Sequence, residues 1–255
     1  MSRTIRIIPK LDDLFCAAAQ KIVEIVTCCR QEGRTCSVAL AGGSTPRRLY
    51  QLLTKSPYTS QMVWNHLRIF WGDERQVAPD HQDSNFLMAQ EAFLSQVPIP
   101  SQQVFRIEGE LPPDEAAMRY ETVLREQFGV MNGGIPRFDL ILLGMGADGH
   151  TASLFPGTTA IEESNKLVAA VWVEKLQTHR VTLTPPVLNA AKDVIFLISG
   201  RDKAPALQAV VEGPRDPARY PAQMVQPTDG HVLWLIDFEA ACDLSEATST
   251  GSSTS

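Results

Sequence analysis

Phe138-Asp139-Leu140-Ile141-Leu142-Leu143-Gly144-Met145-Gly146-Ala147-Asp148-Gly149-His150-Thr151-Ala152-Ser153-Leu154-Phe155-Pro156-Gly157 decides the fold. From Leu140 to Gly144 no side chain is polar, and so short an apolar run reads as a strand buried on both faces, the kind found in parallel sheets covered by helices. Residues just past the carboxyl end of such a strand line the ligand crevice of an open α/β sheet. Asp148 and His150, on a glycine-rich turn at that point, are therefore placed for chemistry. The plainer alternative is a glycine turn with an incidental histidine.

Outward from this strand the same rhythm repeats. Arg3–Ile8 reads as a strand, and Leu14, Ala18, Ile22, Ile25 and Val26 recur at helical spacing within a helix over Leu11–Gln31 that Gly33 ends. The run Cys36–Ala41 follows, then a helix from Pro46 to Leu53, the run Leu67–Trp71, and a helix over Asn85–Leu94 before Pro98-Ile99-Pro100. Beyond Glu115–Phe128 (helix) and the opening strand come Leu167–Val173 (strand), Pro185–Ala191 (short helix), Asp193–Ser199 (strand), Asp202–Val211 (helix) and His231–Asp237 (strand). Such alternation predicts an α/β fold in one domain, a largely parallel, doubly wound sheet with helices on both faces. No repeat of solenoid length and no long polar linker divides it.

Composition narrows the partners. At 255 residues, with 44% hydrophobic and 20% charged side chains, the chain can bury one large core. A net charge of −6 argues against nucleic acid and anionic membrane surfaces, so an anionic small molecule would need a local cationic pocket. The five cysteines, Cys16, Cys28, Cys29, Cys36 and Cys242, form no C-x-x-C or zinc-like spacing, and their scatter suits a reducing compartment. With no apolar leader at the N-terminus and no 18-residue apolar run, a cytoplasmic protein is expected. Ser245 to Ser255, almost all Ser, Thr, Gly and Ala, reads as a disordered tail.

Three further segments carry chemistry. Ala41-Gly42-Gly43-Ser44-Thr45-Pro46 runs from strand through glycine turn to helix, with Ser44 or Thr45 expected as the N-cap and Pro46 at the first helical position. Free amides at such a helix start attract phosphate oxygens, although a well-capped helix alone would account for the residues too. Trp71-Gly72-Asp73-Glu74-Arg75 ends a strand in three charges, which suits the sheet's carboxyl edge; Arg75 offers a planar fork of donors to an anion or a developing oxyanion. Arg180 and Lys203 are two more cations beyond strand-like runs, each weak alone because most such residues are simply surface. The turn Gly144–Gly149 also matches G-x-G-x-x-G, but Asp148 would face a pyrophosphate and Pro156-Gly157 breaks any following helix, so a dinucleotide site is not expected. His66, His81, His179 and His231 read as surface or loop-packing residues.

With these pieces in one chain, the sequence resembles the 6-phosphogluconolactonase family, which shares a superfamily with glucosamine-6-phosphate isomerase/deaminase. The resemblance runs from Ile5 to about Asp237 and is carried by Ala41–Pro46, Trp71–Arg75, Gly144–Gly157 and Arg180-Val181-Thr182. It implies hydrolysis of 6-phospho-D-glucono-1,5-lactone to 6-phosphogluconate in the oxidative pentose phosphate pathway, in a domain spanning 1–244, with no metal and no organic cofactor. It implies His150 as the base. The chemistry agrees, since a neutral imidazole can take a proton from water attacking the lactone carbonyl while Asp148 orients the ring, and Arg75 or backbone amides of the turn meet the oxyanion. By the same resemblance the phosphate goes to Gly43, Ser44 and Thr45 with Arg180 and Lys203, and Asp73 belongs to the substrate site. The expected partner is the phosphosugar lactone alone, with no nucleic acid and no membrane, for a monomer.

Two rivals share the fold. The isomerase pattern has a tyrosine where this chain has Arg75, and a ring-opening glutamate where it has Phe155, which cannot shuttle a proton. Sugar-phosphate-binding effector domains of transcription regulators follow a helix-turn-helix segment; here the sheet starts at residue 3 with no basic recognition helix, so that reading is disfavoured.

Overall fold

The structure is a computed structural model that describes residues 2–131, 133–246 and 248. Six parallel strands form the central sheet in the order β1 (Ser2–Ile8), β9 (His231–Asp237), β8 (Asp193–Ile198), β5 (Leu140–Leu143), β2 (Cys36–Leu40) and β3 (Leu67–Trp71). All residues of β2 and β5 are buried, as helix cover on both faces requires, whereas β1 at the edge leaves most of its residues at least partly exposed. The helices are α1 (Leu11–Gln31), α2 (Ser44–Leu53), α3 (Tyr58–Gln61), α4 (Asn85–Ala92), α5 (Pro113–Phe128), α6 (Pro185–Ala190) and α7 (Ala204–Val211). In α1 the predicted stripe Leu14, Ala18, Ile22, Ile25 and Val26 is the buried face.

The chain winds outward in both directions from the middle of this sheet. From β2 it passes to β3 at one edge, while β5, β8 and β9 step toward the other. The direction reverses between β2 and β5, so the loops leaving their carboxyl ends diverge and open a crevice there. Two phenols hold that edge. Tyr50 Oη accepts from the Ala41 N–H (3.0 Å) and donates to the Ala41 carbonyl (2.9 Å), and Tyr120 Oη does the same to Trp71 (2.8 and 3.0 Å). All four partner groups are buried, and an unpaired one would cost roughly 1–3 kcal/mol.

Alternation alone does not disclose a second, antiparallel sheet, in which β7 (Thr178–Leu183) lies between β4 (Asp73–Arg75) and β6 (Val168–Val173). The run read as Leu167–Val173 thus leaves the parallel sheet and pairs with a neighbour that carries Thr178-His179-Arg180, too polar to stand out as a strand. α5 packs against β6 and β7.

One helix start needs correction. Neither Ser44 nor Thr45 caps α2: the helix begins at Ser44, Gly43 is the N-cap at φ 105°, a conformation open to glycine, and no side chain caps it. Pro46 therefore sits at the third helical position. At the other end of the chain, Ser245 and Thr248 hydroxyls donate to Glu212, and the rest of the expected tail, 247 and 249–255, lies outside the described residues.

Candidate functional site

A cleft of about 410 Å³ opens where β2 and β5 diverge, lined by the Ala41–Pro46 loop, the Gly144–Gly146 turn and His150, with Asp73, Arg75, Arg180 and Lys203 around it. The structure therefore brings together the sequence candidates Gly43, Ser44, Thr45, Asp73, Arg75, His150, Arg180 and Lys203, with Asp148 in direct contact behind His150.

The histidine turn is locked from within. Gly146 N–H donates to the His150 carbonyl (2.9 Å), Gly149 N–H to the Gly146 carbonyl (2.9 Å), and Thr151 Oγ1 to the Gly144 carbonyl (2.8 Å). A Cβ on Gly146 would stand 2.1 Å from His150 Nδ1, so only glycine lets the imidazole lie over the turn. Asp148 Oδ1 accepts from His150 N–H (3.2 Å) and meets Nδ1 at 2.5 Å. Against a carboxylate Nδ1 carries the proton, which leaves Nε2 as the basic nitrogen. Phe155 stacks on the imidazole at 4.0 Å between centroids. Just past His150, Ala152 takes a left-handed φ of 46°, at a cost of about 1 kcal/mol, and the next residue, Ser153, turns its Oγ to Asp73 Oδ2 at 2.7 Å.

Asp148 is shared. Its Oδ2 receives Lys175 Nζ from the short turn between β6 and β7. Burial pushes this carboxyl up, but hydrogen bonds from His150 and Lys175, with the imidazole charge, outweigh burial and hold it well below the usual carboxylate range.

The three charges after Trp71 separate by strand alternation. Asp73 and Arg75 face the cleft, whereas Glu74 turns inward and accepts from the backbone N–H groups of Arg75, Asn85 and Phe86 (2.8, 2.7 and 2.8 Å) and from Ser84 Oγ (3.1 Å). Burial nevertheless pushes its carboxyl above the ordinary value. Glu74 thus closes the amino terminus of α4. Among the described residues no side chain caps α2, whose first residues, Ser44 and Thr45, line the cleft with the Thr45 hydroxyl 2.8 Å from Ser199 Oγ.

Arg75 and Arg180 are register partners across β4 and β7, two like charges side by side. Burial first, and then the Arg75 charge, pushes the Arg180 guanidinium below its ordinary value, and the buried Nε atoms of both residues lack partners. Asp73, Glu74 and Asp83 offset part of that repulsion, and Arg75 Nη1 donates to the Asp83 carbonyl (2.5 Å). Lys203 pairs with exposed Asp202 (2.8 Å) at the rim, on a loop whose Gly200 N–H is held by Asp237. None of the other four histidines lines the cleft; His231 Nε2 meets Thr4 Oγ1, and His179 packs on Trp172.

Lys175, Ser153, Asn85 and Ser199 are residues that sequence reasoning missed. Lys175 had a faint signal, since Glu174-Lys175-Leu176-Gln177 between two β-rich runs reads as a hairpin turn, but nothing in the chain points it to a residue 27 positions earlier. Away from the cleft, Cys29, Cys36 and Asp139 bring potential ligand atoms within 4.8 Å of one another. Asp139 is already engaged by Ser37, Arg34 and Lys192, and two adjoining cations oppose a metal ion there.

The chain as a whole is similar to known proteins. A family model described as glucosamine-6-phosphate isomerases/6-phosphogluconolactonase matches residues 9–234. A 6-phosphogluconolactonase of Nostoc sp. is 38% identical over 96% of this chain and all of its own length. One from Synechocystis sp. is 41% identical over 82% of this chain and 84% of its own. The solved structure of 6-phosphogluconolactonase from Trypanosoma brucei superposes with a TM-score of 0.82 at 32% identity, covering 96% of this chain and 99% of that one.

Proposed function

The chain belongs to the family of glucosamine-6-phosphate isomerases and 6-phosphogluconolactonases, and we propose from that premise that it is the lactonase, opening 6-phospho-D-glucono-1,5-lactone with water to give 6-phosphogluconate in the oxidative pentose phosphate pathway. The observation that carries the choice is the ring of Phe155 stacked on His150, in the place where the isomerase pattern puts a carboxylate. Ring opening of an aminosugar needs that carboxylate to move protons. A lactone needs only water, a base and a stabilised oxyanion.

In this scheme Asp148 holds Nδ1–H, and Nε2 of His150 takes a proton as water attacks the lactone carbonyl. Arg75 or the amides of the Gly144–Gly149 turn meet the charge that develops on the carbonyl oxygen. As the bond from the carbonyl carbon to the ring oxygen breaks, the imidazolium returns its proton to that oxygen and the base is neutral again. The phosphate is held at Gly43, Ser44 and Thr45 with Arg180 and Lys203, where a helix start without a side-chain cap and partly buried cations favour a dianion. Asp73 accepts from sugar hydroxyls with Oδ1, which Ser153 does not bond and Asn85 Nδ2 meets only at 3.5 Å. No step calls on a metal or organic cofactor. We place the activity in a cytoplasmic monomer, a compartment that suits five cysteines all present as free thiols.

The test is an assay coupled to 6-phosphogluconate dehydrogenase on freshly generated lactone, corrected for spontaneous hydrolysis. Turnover above that background is expected, and its absence sinks the reading. Ammonia released from glucosamine 6-phosphate at a comparable rate would assign the chain to the isomerase instead.

A further inference from the structure

Lys175 belongs to the small antiparallel sheet, yet its Nζ reaches Asp148 Oδ2 while Oδ1 of the same carboxylate faces His150 Nδ1. Phe155 joins the group from a third side, with its ring stacked on the imidazole and its centroid 5.1 Å from Lys175 Nζ. We propose that Lys175 is a positioning residue that, by sharing Asp148 with His150, weakens the hold of that carboxylate on the protonated imidazole. The proposal deepens the lactonase reading and rests on it.

The electrostatics have one sign. A carboxylate devoted to an imidazole favours its protonated form, which is useless for taking a proton from water. An ammonium on the second oxygen withdraws part of that attraction and repels the imidazolium directly. Arg75, Arg180 and Lys203 around the cleft act in the same direction, and Asp73 opposes them from across it, with one oxygen held by Ser153. Glu174, beside Lys175, is turned to Trp172 Nε1 and Gln177 Nε2, and Tyr220 packs against Gly149 of the same turn. None of these groups is bonded to Lys175 Nζ, whose contacts are Asp148 and the ring of Phe155. Its side chain is half exposed, which limits the effect through screening.

The experiment compares the wild type, Lys175→Met and Lys175→Arg in two measurements. The first is kcat/KM for the lactone from pH 5 to 8. The second needs no substrate: the titration of the His150 imidazole by nitrogen-15 NMR on the full chain, its signals identified by their loss in His150→Ala. For Lys175→Met both midpoints should rise by about half to one pH unit, so that kcat/KM near pH 5.5 falls about three- to tenfold and the deficit shrinks as pH rises. Lys175→Arg should restore both midpoints. An unmoved NMR midpoint in Lys175→Met overturns the proposal, even if the variant melts earlier or turns over more slowly. A shifted midpoint in a protein whose wild type hydrolyses no lactone would leave the coupling standing and remove the lactonase reading.

Discussion

The six-stranded sheet brings backbone to the cleft, whereas the three-stranded sheet brings charge. From β2 and β5 come two glycine-rich loops, one offering helix-start amides and the other carrying His150 over Gly146. From β4, β7 and the β6–β7 turn come Arg75, Arg180 and Lys175. Parallel strands end at one edge and release their loops there, so they build a crevice of main-chain groups. An antiparallel pair places every second side chain on one face, so it builds a row of side chains, and here that row opposes two arginines. Among the described residues that line the cleft, Lys203, beyond β8, is the one cation that the large sheet brings.

That division is broken or sharpened by removing one contributor at a time. The largest effect belongs to the large sheet's loop: His150→Ala should lower kcat at least about 10²-fold, because a general base typically contributes 10²–10⁴-fold, while calorimetry finds product binding changed only a few-fold. Retention of half the activity would take the chemistry away from that loop. Next come the cations: Arg180→Ala should raise KM for the phosphorylated lactone about tenfold or more, since a charge-assisted contact contributes roughly 1.5–3 kcal/mol, and unphosphorylated gluconolactone should barely register the change. Lys203→Ala tests whether a cation from the other sheet behaves alike; equal losses on both substrates would contradict a phosphate role for either residue.

Phe155→Glu probes the seam between the two regions and should cost several-fold in lactonase activity without creating an isomerase. The introduced carboxylate would lie beside Lys175 and compete with Asp148 for it, and it would face an anionic substrate. Ammonia release by this variant would show that the residue at 155 alone separates the two chemistries. The smallest effects are expected for His66→Ala and His81→Ala, which stand away from the cleft; kcat/KM should stay within about twofold of wild type.

The same contrast between the sheets governs what could be read in advance. β5, β8 and β9 announce themselves because short apolar runs between turn residues fit a buried strand and little else, and α1 matches its expected limits because its stripe keeps helical register from Leu14 to Val26. β4 is three charged residues long, and its partner strand carries His179 and Arg180, so neither shows a period. For the same reason Arg75 and Arg180 could be named as cations but not as neighbours, and Lys175 could not be named at all. The cap of α2 failed for a local reason: Ser44 and Thr45 suit an N-cap by type, but Gly43 already holds the turn geometry that starts the helix, and the Thr45 hydroxyl is drawn to Ser199 instead.

The phenols of Tyr50 and Tyr120 bear on how the cleft moves. Each grips both main-chain groups of the residue that ends or follows a strand, which is what a further strand would otherwise do. The rim on that side is therefore tied down rather than hinged, and the amides of Ala41 and Trp71 should exchange with deuterated solvent as slowly as those in the middle of the sheet. On that side a substrate then meets a wall already set at rest.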